Sequence, residues 1–105
     1  MVLHFPIPSP LIEFLVLGIV AKEPSYGYEI NQRLKQLTPI KESTLYPILK
    51  KMELNAYLET YTESHQGRQR KYYRRTPTGV ERFAFLEAEW ERYSHSIEAM
   101  AKGRS

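Results

Sequence analysis

The chain contains neither cysteine nor aspartate. Without cysteine there is no disulfide framework, no thiolate zinc site and no thiol nucleophile. Without aspartate a serine–histidine–aspartate triad is excluded as well. The three histidines, His4, His65 and His95, are too far apart for helical ligand spacing, so no metal site is expected. Long apolar runs are also missing. The longest, Phe14–Val20, lies between Glu13 and Lys22, far short of the roughly 20 residues that cross a bilayer. The opening Met-Val-Leu-His-Phe-Pro lacks the positive start of a secretory signal. These absences point to a soluble, cytoplasmic chain with no membrane partner, no cofactor and no enzymatic chemistry.

What is present fits one small domain of 105 residues. Hydrophobic residues make up 42%, somewhat below average, but 12% aromatic content restores the area available for a core. A chain of this size often gains further burial by self-association. The net charge of +3 conceals an uneven distribution. Residues 1–40 hold three bases and three acids, residues 41–75 eight bases and four acids, and residues 76–105 four bases and five acids. The middle third therefore carries the whole positive excess. Five of its bases fall within Arg68–Arg75, around Tyr72 and Tyr73.

Residues 1–8 are expected to be an irregular arm, since Pro6 and Pro8 block regular pairing. Ser9 as cap and Pro10 at the first helical position predict a helix over Leu11–Lys22, apolar almost all round and hence buried, ended by Pro24. A second helix is predicted from about Tyr26 to Leu37, with Ser25 as its cap. A third covers about Ser43 to Asn55, with Leu45, Ile48, Leu49 and Met52 on one face. Pro47 would remove a backbone hydrogen bond if that helix begins earlier. From Tyr57 the pattern changes: Tyr57–Thr62 and Arg70–Arg75 read as strands, with Glu63–Gln69 as a longer polar loop between them. Thr76 and Pro77 then open a fourth helix. Along it Phe83, Leu86, Trp90, Tyr93, Ile97 and Met100 alternate by three and four residues, a heptad seam best read as contact with a second copy.

The expected fold is α+β and mainly α: a winged helix-turn-helix of three helices and a β-hairpin wing over residues 9–76. A long C-terminal dimerisation helix follows over 77–101, with a tail over 102–105. That architecture suits duplex DNA, because a helix fits the major groove and a basic hairpin lies against the backbone. On the third helix Ser43, Thr44, Tyr46, Pro47, Lys50 and Lys51 fall opposite the apolar face. Lysines neutralise phosphate, and hydroxyls serve bases or phosphates.

Three blocks carry a family resemblance. Phe14-Leu-Val-Leu-Gly-Ile-Val-Ala-Lys-Glu-Pro-Ser-Tyr-Gly-Tyr-Glu-Ile30, Ser43-Thr-Leu-Tyr-Pro-Ile-Leu-Lys50 and Gly67-Arg-Gln-Arg-Lys-Tyr-Tyr-Arg-Arg-Thr-Pro-Thr-Gly79 resemble the PadR family of transcriptional regulators in order and spacing. The resemblance covers roughly residues 11–101 and is closest to members with one dimerisation helix. It implies a homodimeric repressor on a palindromic double-stranded DNA operator. Carried over, it implies that the Ser43–Lys51 face enters the major groove. Arg68, Arg70 and Lys71 would form the wing contacts, and Tyr28 would approach the backbone. It further implies that Trp90 lines a dimer-interface cavity for a small planar ligand. Two departures stand out. Asn55-Ala56 replaces a usual glycine, so Asn55 is expected in the left-handed cap position. Glu42-Ser43 replaces a Pro-Gly pair and sets a carboxylate where phosphate is expected.

Other readings carry less. Trp90 also suits a plain interface anchor. Adjacent strand residues face opposite sides, so Tyr72 and Tyr73 do not form one stacking platform. Glu81, Glu87, Glu89 and Glu91 read as the solvated face of the last helix. A coiled-coil interaction module with a docking winged helix is the alternative function; five bases in eight residues argue against it.

Overall fold

A computed structural model describes residues 3–103; expectations about the first two and last two residues lie outside them. The elements run α1 (Ser9–Ile19), β1 (Ser25–Tyr26), α2 (Gly27–Lys35), α3 (Glu42–Leu54), β2 (Leu58–His65), β3 (Arg68–Arg75) and α4 (Pro77–Ala101). This is the expected winged helix-turn-helix with a long C-terminal helix.

Helix α1 buries Ile12, Val16 and Leu17, as its all-round apolar composition requires. Its cap is Pro8 rather than Ser9. The extended Pro8 backbone offers its carbonyl to the N–H groups of Leu11 and Ile12, and the Ser9 side chain makes no cap bond. The helix stops at Ile19, before the expected Lys22, because the chain must leave the helical region ahead of Pro24. Ser25 likewise does not cap α2. It lies in β1, paired with Tyr73, and its hydroxyl donates to the Glu29 carboxylate. No periodicity announces a two-residue strand; β1 exists because β3 is there to pair with it.

Helix α3 begins at Glu42, so Pro47 sits inside it and leaves the Ser43 carbonyl without its helical donor. The ring is exposed, which lets water replace the lost bond. The chain reversal after α3 falls on Ala56 at φ 63°, not on Asn55, whose φ is −87°. The hairpin differs most from expectation. Strands β2 and β3 pair in register from Leu58 opposite Arg75 to His65 opposite Arg68, leaving only Gln66 and Gly67 as the turn. Both have positive φ, 51° and 80°, as a two-residue type I′ turn demands. The polar run Glu63–Gln69 is thus mostly strand, exposed on both faces, and polarity there signals solvent rather than loop. Sheet order is β1-β3-β2.

The core lies between the helices and the inner sheet face, with Ile30, Leu45, Leu49, Met52 and Leu58 at its centre. Helix α4 closes it. Thr76 caps α4 by accepting from the Gly79 N–H at 2.9 Å, and its hydroxyl donates to the Ala56 carbonyl at 2.5 Å. Leu86 is 6% exposed and Phe83 packs on Phe14 with ring centroids 5.0 Å apart. The first half of the heptad seam, expected at an intersubunit surface, therefore packs on this chain's own core: Leu86 is buried in it and Phe83 partly so. Beyond them, Trp90, Tyr93, Ile97 and Met100 are 40 to 86% exposed. The α1–α4 contact also holds an ion pair, Glu13 to Arg82 at 3.4 Å, with Glu13 buried. No helix is long and apolar enough to cross a membrane, and no His, Asp or Glu group with metal-site geometry occurs among the described residues.

Candidate nucleic-acid interface

The candidate surface starts from the two-sidedness of α3. Leu45, Leu49 and Met52 are completely buried, while Ser43, Thr44, Tyr46, Pro47, Lys50 and Lys51 are exposed. Ile48 lies between, half-buried against the core. Because the inner residues are locked, the outer ones form a rigid row: hydroxyls near the N-terminus, ammonium groups one to two turns on. Glu42 stands at the head of that row.

Tyr46 leans back across α2. A Cβ on Gly27 would lie 2.6 Å from its ring and 2.8 Å from its hydroxyl. Glycine at the start of α2 is therefore what allows the ring to settle there, and the side chain remains 41% exposed. Burial, with the Glu42 carboxylate adding to it, holds the Tyr46 phenol above its ordinary pKa, so it stays a neutral hydroxyl. Tyr28, in the first turn of α2, is 57% exposed.

The wing's five bases are not equivalent. Lys71 faces the helices and contacts Glu53 of α3 at 3.3 Å, a carboxylate that also accepts from Thr60. Arg74 is paired with Glu59 at 2.9 Å, and Arg75 lies over the Phe83 ring. Arg68 and Arg70 have no carboxylate within ion-pair distance among the described residues. Lys71, expected to contact DNA, is thus in part a strut between the wing and α3. The two tyrosines divide as expected: Tyr73 is buried in the core, which raises its phenol pKa, and Tyr72 lies on the outer face. There Tyr72 stacks on Tyr61 and meets Tyr26 edge-on, with centroids 5.4 and 5.5 Å apart. Arg70 covers the Tyr26 ring at 4.3 Å and Arg74 covers Tyr61 at 5.0 Å. Sequence reasoning missed Tyr26, Tyr61 and Glu53, since their roles depend on strand register and on α3 meeting the wing.

A second feature lies at the other end of the molecule. An apolar groove of about 650 Å³ runs between the distal half of α4, α1 and the N-terminal arm. Trp90 and Ile97 form one wall, Leu11 and Phe14 the other, and Phe5 of the arm stands at its lip. Trp90 and Tyr93 are 6.2 Å apart, centroid to centroid.

The profile of the transcriptional regulator PadR-like family matches residues 16–84. The chain belongs to that family. A Streptococcus mutans protein of known crystal structure is 50% identical, covers 98% of this chain and 97% of its own, and superposes with a TM-score of 0.91. A PadR family transcription regulator from Clostridium difficile is 29% identical over 86% of this chain and 97% of its own, at a TM-score of 0.78. An uncharacterised protein of Lysinibacillus sphaericus is 31% identical over 88% of this chain and 89% of its own length. This PadR-like protein is accordingly a DNA-binding transcriptional regulator and not an enzyme.

Proposed function

We propose that this PadR-like protein is a homodimeric repressor that binds a palindromic operator in the cytoplasm. Its α3 enters the major groove, with Ser43, Thr44, Tyr46, Lys50 and Lys51 toward the DNA. Arg68 and Arg70 of the wing and Tyr28 of α2 take the flanking backbone, with Lys71 a weaker contributor. The observation that carries this reading is the exposed polar face of α3 beside a wing whose Arg68 and Arg70 meet no carboxylate among the described residues. The dimer is supported by Trp90, Tyr93, Ile97 and Met100, four large apolar side chains exposed along one line of α4. A second copy covers them, and a two-fold pair of α3 helices matches a palindromic site. A small planar ligand in the Trp90 groove is supported by its volume, which lies within the range of drug-sized sites.

Selection of bound duplexes from a random pool tests the operator, and half-site spacing then reports the dimer's geometry. On the selected duplex, Lys50→Ala should lower affinity and flatten its salt dependence by roughly 0.9 in log–log slope, as one phosphate contact is lost. Unchanged affinity would place the DNA face elsewhere. Trp90→Glu should yield monomers in sedimentation and much weaker operator binding; a surviving dimer refutes the α4 seam.

A further inference from the structure

Arginine at the tip of a basic wing faces a conflict. A long, flexible guanidinium needs a partner to hold it in one place, yet the strongest local partner, a carboxylate, cancels the charge that phosphate would read. The wing resolves this differently at its several bases. Lys71 and Arg74 are paired with Glu53 and Glu59. Arg70 has a carboxylate at hand in its cross-strand neighbour Glu63, directly opposite it in the register. Its guanidinium lies instead over Tyr26, 4.3 Å from the ring centroid. An aromatic face holds a cation without neutralising it, and it leaves the in-plane N–H edge open to accept a phosphate. The ring is itself fixed from two sides. Tyr26 is paired with Tyr72 through β1 and β3, and Tyr72 is stacked on Tyr61.

We infer that Tyr26 is a positioning residue for DNA binding, which holds Arg70 in a charged, fixed pose for the phosphate backbone and keeps it from Glu63. Tyr26 is also the cap residue of α2, next but one to Tyr28. The same residue therefore ties Arg70, one of the wing's two arginines with no carboxylate partner among the described residues, to the helix that precedes α3, so both meet the backbone in a set relation. This assignment rests on the DNA-binding reading above.

The test is a double-mutant cycle on a duplex selected by the wild-type protein, measured across a salt series, with far-UV circular dichroism of each variant as the folding control. Tyr26→Leu should weaken binding roughly tenfold, the scale of one charge-assisted contact, and flatten the salt slope by about 0.9, as Arg70→Ala does. Tyr26→Phe, which keeps the ring, should restore both. In the Arg70→Ala background, Tyr26→Leu should add almost nothing. Equal losses from Tyr26→Leu with and without Arg70, or a loss that Tyr26→Phe does not restore, would overturn the assignment while leaving DNA binding intact. Failure of the wild-type protein to bind any selected duplex would overturn the underlying reading instead.

Discussion

Replacing Gly79 by alanine probes the junction on which α4 depends. A Cβ there would lie far inside the van der Waals contact distance to the Tyr57 carbonyl oxygen and 2.9 Å from Arg75 Cγ. The first obstacle is backbone, in the turn that joins α3 to the wing, so no side-chain rotation can relieve it. Overpacking of this kind costs about 1–3 kcal/mol. Moving α4 away also loosens the Thr76 cap, which bonds Gly79 and Ala56 together, for about 1 kcal/mol more. The expected loss of roughly 2–4 kcal/mol is a large share of the 5–15 kcal/mol that holds a small domain together. It should lower the thermal midpoint by about 10–30 °C. Thermal unfolding followed by circular dichroism and by emission of the single tryptophan, Trp90, measures it. Gly18→Ala is the matched control. Gly18 lies inside α1 and its Cβ would make an ordinary 3.6 Å contact with Phe83 of α4, so helix propensity should raise stability by up to about 1 kcal/mol. If Gly79→Ala melts within a few degrees of wild type, the close approach of α4 to Tyr57 does not exist in solution.

Ala56 holds a left-handed conformation at φ 63° that costs an L-residue about 1–2 kcal/mol, so Ala56→Gly should stabilise the protein by about 0.5–1 kcal/mol net of glycine's greater chain entropy. Urea denaturation would read it, and a fall in the midpoint would count against the strain. Asn31 is fully buried in α2 with neither side-chain amide atom bonded to a described residue. Asn31→Leu, which keeps the branching at Cγ and removes both unbonded polar atoms, should therefore raise stability by about 1 kcal/mol, whereas destabilisation in the same assay would mean the amide is satisfied in solution.

The elements were largely legible because their signals are local. The Thr76-Pro77 start of α4, the buried stripe of α3 and the all-round apolar character of α1 each follow from nearest neighbours along the chain. The wing was legible as a hairpin but not in its length, since a strand exposed on both faces carries no alternation to mark it. The exposed polar row of α3 was readable for a similar reason: if Leu45, Leu49 and Met52 face inward, Ser43, Lys50 and Lys51 cannot.

By itself, the sequence determined the family, the order of elements and the position of the positive charge, all properties written in consecutive or helically spaced residues. Only the tertiary structure decided which charges stay available. Whether an arginine meets a glutamate or a tyrosine depends on strand register and on packing between segments far apart in sequence. That is why Lys71, promising in one dimension, is tied to Glu53, while Arg70 rests uncancelled on Tyr26. The heptad seam divides for the same reason. Its spacing is uniform along α4, but only Phe83 and Leu86 pack into the core, and the distal residues are left to line the groove beside α1 and to meet whatever covers them.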